Sequence, residues 1–306
     1  MNINLIGVPL YFGCDKKGVD LSPDILRNNG LIDILEKHNH KVFDLGNLHV
    51  KQMSEQDKFK DNKSMKYLSP VVELNNNLAQ SVYCSLNSGY FPLVIGGDHA
   101  LGLGSICGAS KHFNNDLAVI WIDAHGDINT DKTTPSGNIH GMPLAAAMGL
   151  GNESLTDIYF NDRKVNPKNV YIIGARALDQ GELDLMKEVD LKLWKTSEVK
   201  ELGCEKIIND ILTDLNKKGI TNVHISYDID SLDANIVPGT GTPVENGLNV
   251  DEVNYVLEKL LKSGLITSMD FVELNTKLDS TDQTLNVALE LFNVISKSLS
   301  HVDKLK

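Results

Sequence analysis

Eight short apolar runs, rich in Val and Ile, alternate along the chain with longer amphipathic stretches. In a run such as LAVIWI (117–122) no polar residue interrupts the apolar ones, which indicates a strand buried on both faces. The predicted strands are 3–8, 41–45, 91–96, 117–122, 169–175, 191–194, 222–230 and 266–274. Helices are predicted between them at 23–37, 70–88, 101–113, 140–149, 181–189, 197–218, 250–263 and 282–299. This order predicts an α/β fold in which helices cover a mostly parallel sheet.

The composition of the chain, and the absence of linkers and repeats in it, indicate one folded unit. Of the 306 residues, 42% are hydrophobic and 23% are charged, as in ordinary globular proteins. Because no repeat, low-complexity tract or linker divides the sequence, we predict a single domain over 1–306, with a loop-rich insertion at 151–168. Helices are expected to begin at Ser22-Pro23 and Ser69-Pro70, with Ser as the N-cap and Pro at the first helical position.

Charge and cysteine usage exclude several classes of function. A net charge of -12 opposes binding to nucleic acid and to anionic membranes. The four cysteines, which form no CxxC pair, are typical of free thiols in a reducing compartment; they are Cys14, Cys84, Cys107 and Cys204. The N-terminal stretch MNINLIGVPLYFG lacks a basic region and is too short for a signal peptide or membrane span. We therefore expect a cytoplasmic protein with a small-molecule partner.

Polar clusters follow three of the predicted strands. Asp123, His125 and Asp127 occupy every second position after 117–122, and in an extended chain such residues project to one side. Ligands of parallel α/β sheets bind at the carboxyl ends of the strands, so we expect the three clusters to meet. The candidate metal ligands are His99, Asp123, His125, Asp127, Asp228 and Asp230.

The charges of this set predict bound cations. Carboxylates about 4 Å apart repel one another by about 4 kcal/mol for each pair, and two divalent ions would balance the four Asp. Two imidazoles without a thiolate do not fit structural zinc and suit Mn²⁺, or Fe²⁺ or Co²⁺. Taken singly, the residues have simpler interpretations, since Asp228 and Asp230 could be turn residues and His99 a core histidine.

Several longer motifs resemble those of the ureohydrolase family, and its arginase branch most closely. They run in order along nearly the whole chain: KGVDLSPDILRNNGL (17–31), GGDHALGLGS (96–105), WIDAHGDINT (121–130), SGNIHGMPLA (136–145), IGARALDQGE (173–182), SYDIDSLD (226–233), PGTGTP (238–243) and DFVELN (270–275). The resemblance implies a three-layer αβα fold around an eight-stranded sheet. It also implies two Mn²⁺ ions per chain.

The resemblance further implies which residues hold each ion and which reaction follows. One ion would be bound by His99, Asp123, Asp127 and Asp228, and the other by His125, Asp123, Asp228 and Asp230. The implied reaction is hydrolysis of the guanidinium group of L-arginine to L-ornithine and urea, by attack of a hydroxide that bridges the metals. Asp127 would bond this hydroxide and pass on its proton.

The remaining implied roles concern the substrate. Glu273 would pair with the guanidinium, to which a carboxylate is the natural partner, and His140 would carry protons to the leaving amine. The α-carboxylate would be held by Asn129, Ser136 and Asn138. The α-amino group would be held by Asp179. Thr242 would bind in the same site and support Glu273, or would only shape the loop PGTGTP. Without the resemblance these residues are equally typical of polar loops, and Glu273 of a surface ion pair.

Four positions depart from the family pattern. Ala234 follows Asp233 where Pro is usual, and Ala177 replaces an acid often found after the Arg of IGxR. Asn246 stands where Gly is common, and Asn tolerates a left-handed backbone. The segment 249–254 lacks an Arg that assists subunit contact in some relatives, although the resemblance still implies a homo-oligomer, a trimer or hexamer.

Two other functions compete with an arginase. The first is an agmatinase or guanidinobutyrase, which shares the chemistry but acts on a substrate with a different tail. The second is a metal-binding homologue that has lost catalysis and serves in an assembly, which the retention of all six candidate ligands disfavours.

Overall fold

The computed structural model describes residues 1–114 and 116–302 and contains one sheet of eight strands. The strands are β1 (Asn2–Val8), β2 (Lys41–Asn47), β3 (Phe91–Gly96), β4 (Ala118–Ile122), β5 (Val170–Ala175), β6 (Lys192–Lys195), β7 (Val223–Asp228) and β8 (Ile266–Val272). Every pair of neighbouring strands is parallel. The eight predicted strands are thus confirmed, although β7 and β8 end two residues earlier than expected.

The strand order creates a shared edge for the polar clusters. It runs β2-β1-β3-β8-β7-β4-β5-β6, so the last two strands of the chain insert between β3 and β4. The four strands β3, β8, β7 and β4 are therefore adjacent, and their carboxyl ends lie at one edge.

Helices cover both faces of the sheet. They are α1 (Ser22–Asn28), α2 (Leu31–Glu36), α3 (Leu68–Asn87), α4 (Gly102–His112), α5 (Pro143–Ala147), α6 (Glu153–Thr156), α7 (Gln180–Val189), α8 (Thr196–Leu202), α9 (Cys204–Lys218), α10 (Val250–Lys262) and α11 (Gln283–Val302). One core joins the sheet to α1, α2 and α8–α11, and a second joins it to α3–α7. Within β4, Ile120 packs into the first core, whereas Val119 and Trp121 pack into the second. Burial on both faces explains the uninterrupted apolar run, and the predicted three-layer fold is confirmed.

Some predicted helix boundaries are wrong. Two predicted helices are each split, at Gly30 and at Gly203, which have φ of 85° and 84°. Neither Ser-Pro pair forms an N-cap, because α1 already includes Ser22 and α3 already begins at Leu68. The hydroxyl of Ser22 instead donates to the backbone carbonyls of Val19 and Gly96.

The insertion at 151–168 contains the short helix α6 between loops. Asn115 and residues 303–306 of the predicted domain lie outside the described residues. Within the described ranges, none of the helices is long and apolar enough to cross a membrane.

Candidate active site

A tight turn after β3 brings His99 to the edge of the sheet. Gly97 packs against the backbone of Leu10, where a Cβ atom would lie 2.0 Å from the carbonyl oxygen of Leu10. Only glycine fits so close an approach. The turn continues through Asp98, whose carboxylate accepts bonds from the backbone N–H groups of Gly13 and Cys14 at 2.8 and 3.2 Å. Asp98 thereby ties the loop after β1 to the site.

Three carboxylates surround one nitrogen of His99. Its Nδ1 lies 3.0 Å from Oδ2 of Asp123 and 3.1 Å from Oδ2 of both Asp127 and Asp228. Nevertheless this buried atom forms no hydrogen bond of acceptable geometry among the described residues. An imidazole nitrogen and three carboxylate oxygens that converge without bonding one another leave their lone pairs for a cation.

A second group of ligand atoms adjoins the first and shares Asp123 with it. His125 Nδ1 lies 3.3 Å from Oδ1 of Asp123 and 3.2 Å from Oδ2 of Asp230. The ligand atoms within each group, His99–Asp123–Asp127 and Asp123–His125–Asp230, lie within 4.8 Å of one another. Asp228 belongs to neither group by this measure, but it approaches His99 through Oδ2 and accepts the Asp230 N–H through Oδ1 at 2.8 Å. All six candidate ligands are therefore brought together.

The raised pKa values of two carboxyl groups in the cluster reflect the expected repulsion between its acids. Burial, followed by the charges of Asp230 and Asp123, raises the pKa of Asp228 well above its usual value. Burial and Asp123 likewise raise the pKa of Asp127 to about 7. Buried carboxylates held this close are costly unless they are protonated or paired with positive charge. The donor set thus fits two divalent cations that prefer oxygen and imidazole ligands.

A buried chain of polar groups holds the ring of His99 from behind. His99 Nε2 lies 2.9 Å from Oγ of Ser226, which lies 3.3 Å from Oδ2 of Asp270. The same carboxylate oxygen is 3.0 Å from Nε2 of His224, and the ring of His99 stacks on Trp121 at 3.9 Å. These contacts fix which nitrogen of His99 faces the carboxylates. The sequence reasoning missed them, although the alternation of His224, Ser226 and Asp228 on one strand was a usable signal.

His140 and Glu273 form a pair beside the cluster. Oε1 of Glu273 accepts the backbone N–H of His99 at 2.9 Å and lies 3.1 Å from Nδ1 of His140. Its Oε2 is buried and has no partner among the described residues. Burial alone would lower the pKa of His140, but the bond to Glu273 and its charge raise that pKa to about 9.

A cavity of about 320 Å³ opens next to these residues. Eight of the predicted site residues line it: His125, Asp127, Asn129, Ser136, Asn138, His140, Asp179 and Thr242. The other predicted residues lie behind the cavity wall. Glu273 contacts His140, His99 contacts Asp127, and both Asp123 and Asp230 contact His125. Asp228 lies deeper, against His99 and Asp230. Thr134 and Glu182 also line the cavity and were missed. The capping pattern Asp179-x-x-Glu182 was a signal for the second, whereas nothing in the sequence singles out Thr134.

Bonds within the chain already orient the loop predicted to hold the substrate. Asn129 Nδ2 donates to Oδ2 of Asp179 at 3.0 Å. The amide of Asn138 is bonded at both ends, with Lys66 at its oxygen and the Cys14 carbonyl at its nitrogen. Thr242 donates to Oδ2 of Asp230 at 3.0 Å, instead of supporting Glu273 as expected.

The departures from the family pattern fit locally. Asn246 has φ of 61°, the left-handed conformation expected for it. Ala177 lines the cavity, and Ala234 donates its N–H to the Val244 carbonyl at 3.1 Å.

Comparison with known proteins is consistent across family, sequence and structure. A family model described as the Arginase family matches residues 1–296. The chain is 43% identical over 289 residues to an arginase of Bacillus subtilis (strain 168), which covers 94% of this chain and 95% of that protein. It is 42% identical over 294 residues to an arginase of Brevibacillus brevis, with coverage of 96% and 97%. The crystal structure of arginase from Bacillus subtilis subsp. subtilis str. 168 matches with a TM-score of 0.90 at 41% identity, and covers 97% of this chain and 98% of that one.

Proposed function

The chain belongs to the arginase family, and we propose that it hydrolyses the guanidinium group of L-arginine to L-ornithine and urea. One observation carries the proposal: the cluster of four Asp and two His adjoins a cavity lined by the loop residues 129–141. This arrangement joins a centre for hydrolysis to polar groups that suit the amino-acid end of the substrate.

The six clustered residues would hold two divalent cations, which we propose to be Mn²⁺, with Fe²⁺ or Co²⁺ as substitutes. Asp123, which contributes one oxygen to each ligand group, would belong to both ligand sets, and Asp228 is proposed as a second shared ligand. When bound, the two ions supply a hydroxide near neutral pH by lowering the pKa of water. Asp127 lines the cavity and also belongs to the cluster, so its carboxylate suits the task of taking a proton from the attacking water.

Glu273 is the proposed partner of the substrate guanidinium. Its buried Oε2 has no hydrogen-bond partner in the part of the chain that the structure describes, and a buried carboxylate oxygen without a partner is costly until a donor reaches it. The pair with His140 lowers the pKa of Glu273 against the effect of burial. A carboxylate that stays ionised suits a delocalised cation, whose planar N–H groups match its geometry.

His140 is the proposed donor of the proton that the leaving amine needs. With its pKa raised to about 9, the imidazole is mostly protonated near neutral pH. Nδ1 faces Glu273, which leaves Nε2 as the nitrogen able to give a proton toward the cavity. Proton transfer of this kind contributes roughly 10²–10⁴-fold to rate.

The other end of the substrate would meet the loop. Ser136 and Asn138, with Thr134 added from the structure, offer hydroxyl and amide donors to the α-carboxylate. Asp179, which accepts a bond from Asn129, suits the α-amino group. The second N–H of the Asn129 amide is proposed to reach the α-carboxylate. A site that hydrogen-bonds a group rejects analogues that lack it, because its own polar atoms are then left unpaired.

The test is urea release from L-arginine and agmatine, side by side, with enzyme loaded with Mn²⁺. We expect kcat/KM for L-arginine to exceed that for agmatine by at least about 10²-fold, or about 2.7 kcal/mol. Ser136→Ala should reduce this difference in kcat/KM, because it slows the hydrolysis of L-arginine and leaves that of agmatine nearly unchanged. Equal or faster hydrolysis of agmatine would make the protein an agmatinase, and no urea from either substrate would indicate a homologue without catalysis.

We further propose one catalytic domain, a homo-oligomeric assembly (trimer or hexamer), and a cytoplasmic location. All four cysteines are unpaired, which supports a reducing compartment. Light scattering coupled to gel filtration would measure the mass of the assembly, and a monomer would contradict the oligomer.

A further inference from the structure

The wall of the cavity carries acidic groups and histidines but no fixed positive charge. Its described lining includes Asp127, Asp179 and Glu182, together with His125 and His140, and has neither Lys nor Arg. The whole chain has a net charge of -12. The proposed cations would balance Asp127 but not Asp179 and Glu182, and these two acids attract a guanidinium but repel a carboxylate. The substrate proposed above has both groups, so a positive charge near its carboxylate end would matter.

Lys66 supplies a positive charge directly behind the cavity wall. Its Nζ donates to Oδ1 of Asn138 at 2.8 Å, and its backbone N–H donates to the Gly137 carbonyl at 2.8 Å. Its side chain is only 17% exposed. Main chain and side chain therefore hold this lysine against the loop that lines the cavity.

This contact decides how Asn138 presents its amide. An ammonium can only donate and a carbonyl can only accept, so Lys66 must face Oδ1, and the Cys14 carbonyl, at 3.0 Å, must face Nδ2. The amide cannot turn over without losing both bonds. Because Nδ2 carries two N–H groups, the bond to Cys14 leaves one for a ligand, and the ammonium on Oδ1 makes it a stronger donor.

Lys66 belongs to a small cluster of charged side chains. Lys66 and Lys58 share one carboxylate, Asp15, at 3.0 and 3.2 Å. Partial burial opposes ionisation of Asp15, but the bonds from the two lysines prevail and lower its pKa. Lys58 also lies 3.8 Å from Oε1 of Glu55, so two lysines face two acids here. The ammonium of Lys66 is the charge of this cluster that directly contacts Asn138.

We propose that Lys66 is a specificity-determining residue that orients and polarises Asn138 and attracts the α-carboxylate of the substrate. The inference rests on the proposed function, because it concerns the substrate's carboxylate end. Agmatine lacks that carboxylate and would gain nothing from Lys66. The lysine acts through Asn138 and is a positioning residue.

Steady-state kinetics on both substrates test the inference. For Lys66→Met we expect KM for L-arginine to rise at least about 10-fold, as for loss of a charge-assisted bond, with kcat within about threefold. The kcat/KM for agmatine should stay within about twofold. Lys66→Arg, which keeps charge and donor, should recover most of the arginine KM. Lys66→Gln, which keeps only a donor, should recover less.

Lys58→Met is the matched control. The substitution removes one positive charge beside Asp15, as Lys66→Met does. The Nζ of Lys58 contacts Asp15 and Glu55 but does not contact Asn138. We expect its arginine KM to change less than about twofold. An equal rise of KM in Lys58→Met, or equal losses on arginine and agmatine in Lys66→Met, would overturn the role given to Lys66.

A binding measurement separates this inference from the proposed function. Calorimetry would compare L-ornithine, which keeps the α-carboxylate, with putrescine, which lacks it. If Lys66→Met binds L-ornithine more weakly than the wild type does, and putrescine equally well, the inference is supported. This holds even if the wild type releases no urea from arginine, because the absence of urea would refute only the proposed function. Unchanged binding of L-ornithine by a folded Lys66→Met or Lys66→Gln variant would overturn it.

Discussion

At the scale of single residues, two acids of the site adopt a left-handed backbone conformation, which is uncommon for residues other than glycine. Asp127 and Glu273 have φ of 51° and 65°. The left-handed region costs a residue with a side chain about 1–3 kcal/mol, and such strain is concentrated at functional sites. In both cases it turns a carboxylate back toward the strand ends, where Asp127 approaches His99 and Glu273 accepts a bond from its backbone. The surrounding fold stabilises this geometry.

The pair of His140 with Glu273 leads to a prediction about catalysis. His140→Asn should lower kcat for L-arginine by at least about 10²-fold, because it removes the proton donor. The amount of bound Mn²⁺, measured by elemental analysis, should not change, since His140 belongs to neither ligand group.

Added imidazole should restore part of the activity of the His140→Asn variant. Full activity of the variant without imidazole would contradict the proton-transfer role. Loss of bound Mn²⁺ in parallel with activity would instead indicate that His140 supports the metal centre.

At the scale of elements, glycine conformations decide where helices stop. α8 and α9 are separate because Gly203 has φ of 84° and ψ of 143°, a region that is open almost only to glycine. The amphipathic pattern runs through this position, so periodicity alone predicts one helix. The break redirects α9, whose buried residues then pack in the same core as α10.

Gly203→Ala tests this interpretation, because an added methyl group at this position would meet no steric clash and only the backbone conformation would be strained. A Cβ atom at Gly203 meets nothing within 4 Å, and the same holds for Gly219, which follows α9 with φ of 69° and ψ of 21°. We expect Gly203→Ala to lower the free energy of unfolding by about 2 kcal/mol and Gly219→Ala by about 1 kcal/mol. Urea denaturation would measure both, and equal values would refute the special strain at Gly203.

The start of α11 provides a prediction about pH. Burial would raise the pKa of Asp279, but the backbone and hydroxyl donors of Thr281 and Thr284 lower it to about 2. Because the folded pKa lies below the unfolded value of about 3.9, this carboxylate stabilises the fold above about pH 4. The contribution is lost as pH falls toward 2.

Asp279→Ala should therefore lower the free energy of unfolding by about 1–2 kcal/mol at pH 6. The difference from the wild type should shrink at pH 3.5. Asp279→Asn keeps the shape of the side chain but does not titrate in this range. It should also have a lower free energy of unfolding than the wild type at pH 6. A difference between wild type and Asp279→Ala that is constant from pH 6 to 3.5 would contradict the assignment.

At the scale of the whole molecule, the sheet concentrates negative charge at one edge. The chain orders β3, β8, β7 and β4 side by side. The residues that end or follow these strands include six buried acids: Asp98, Asp123, Asp127, Asp228, Asp230 and Glu273. The repulsion between these acids lowers the stability of the fold, and the two large buried cores on the faces of the sheet offset that loss. Cations at the edge should relieve it.

Metal binding should therefore stabilise the folded protein. A ligand that binds only the native state contributes about 2.7 kcal/mol at 100 times its Kd. We expect Mn²⁺ at that concentration to raise the Tm of protein stripped of metal by at least about 4 °C. Differential scanning fluorimetry, with EDTA as the reference, would measure the shift.

Asp228→Asn is the control for this stabilisation. Loss of its charge should remove at least one ion per chain and reduce the Mn²⁺-dependent Tm shift. Elemental analysis that finds fewer than one equivalent of metal in wild-type protein loaded with Mn²⁺ would contradict the two-metal centre.

The sequence alone was sufficient for the strands, the fold class and the clustering of six candidate ligands. Apolar runs without alternation can be read locally, because burial on both faces leaves no position for polar residues. Asp123, His125 and Asp127 could be grouped from their spacing, since alternate residues of an extended chain share a side. The Arginase family membership also followed from motifs in the chain.

Only the tertiary structure decided which distant groups support those residues. Lys66 lies 72 residues from Asn138, and Asp98 lies 84 residues from Cys14, so no local pattern could pair them. The same holds for the contact of Thr242 with Asp230, which depends on how the loop that carries Thr242 packs. Periodicity records which face of an element is buried, but partners across the sheet depend on strand order and loop packing, which are properties of the whole fold.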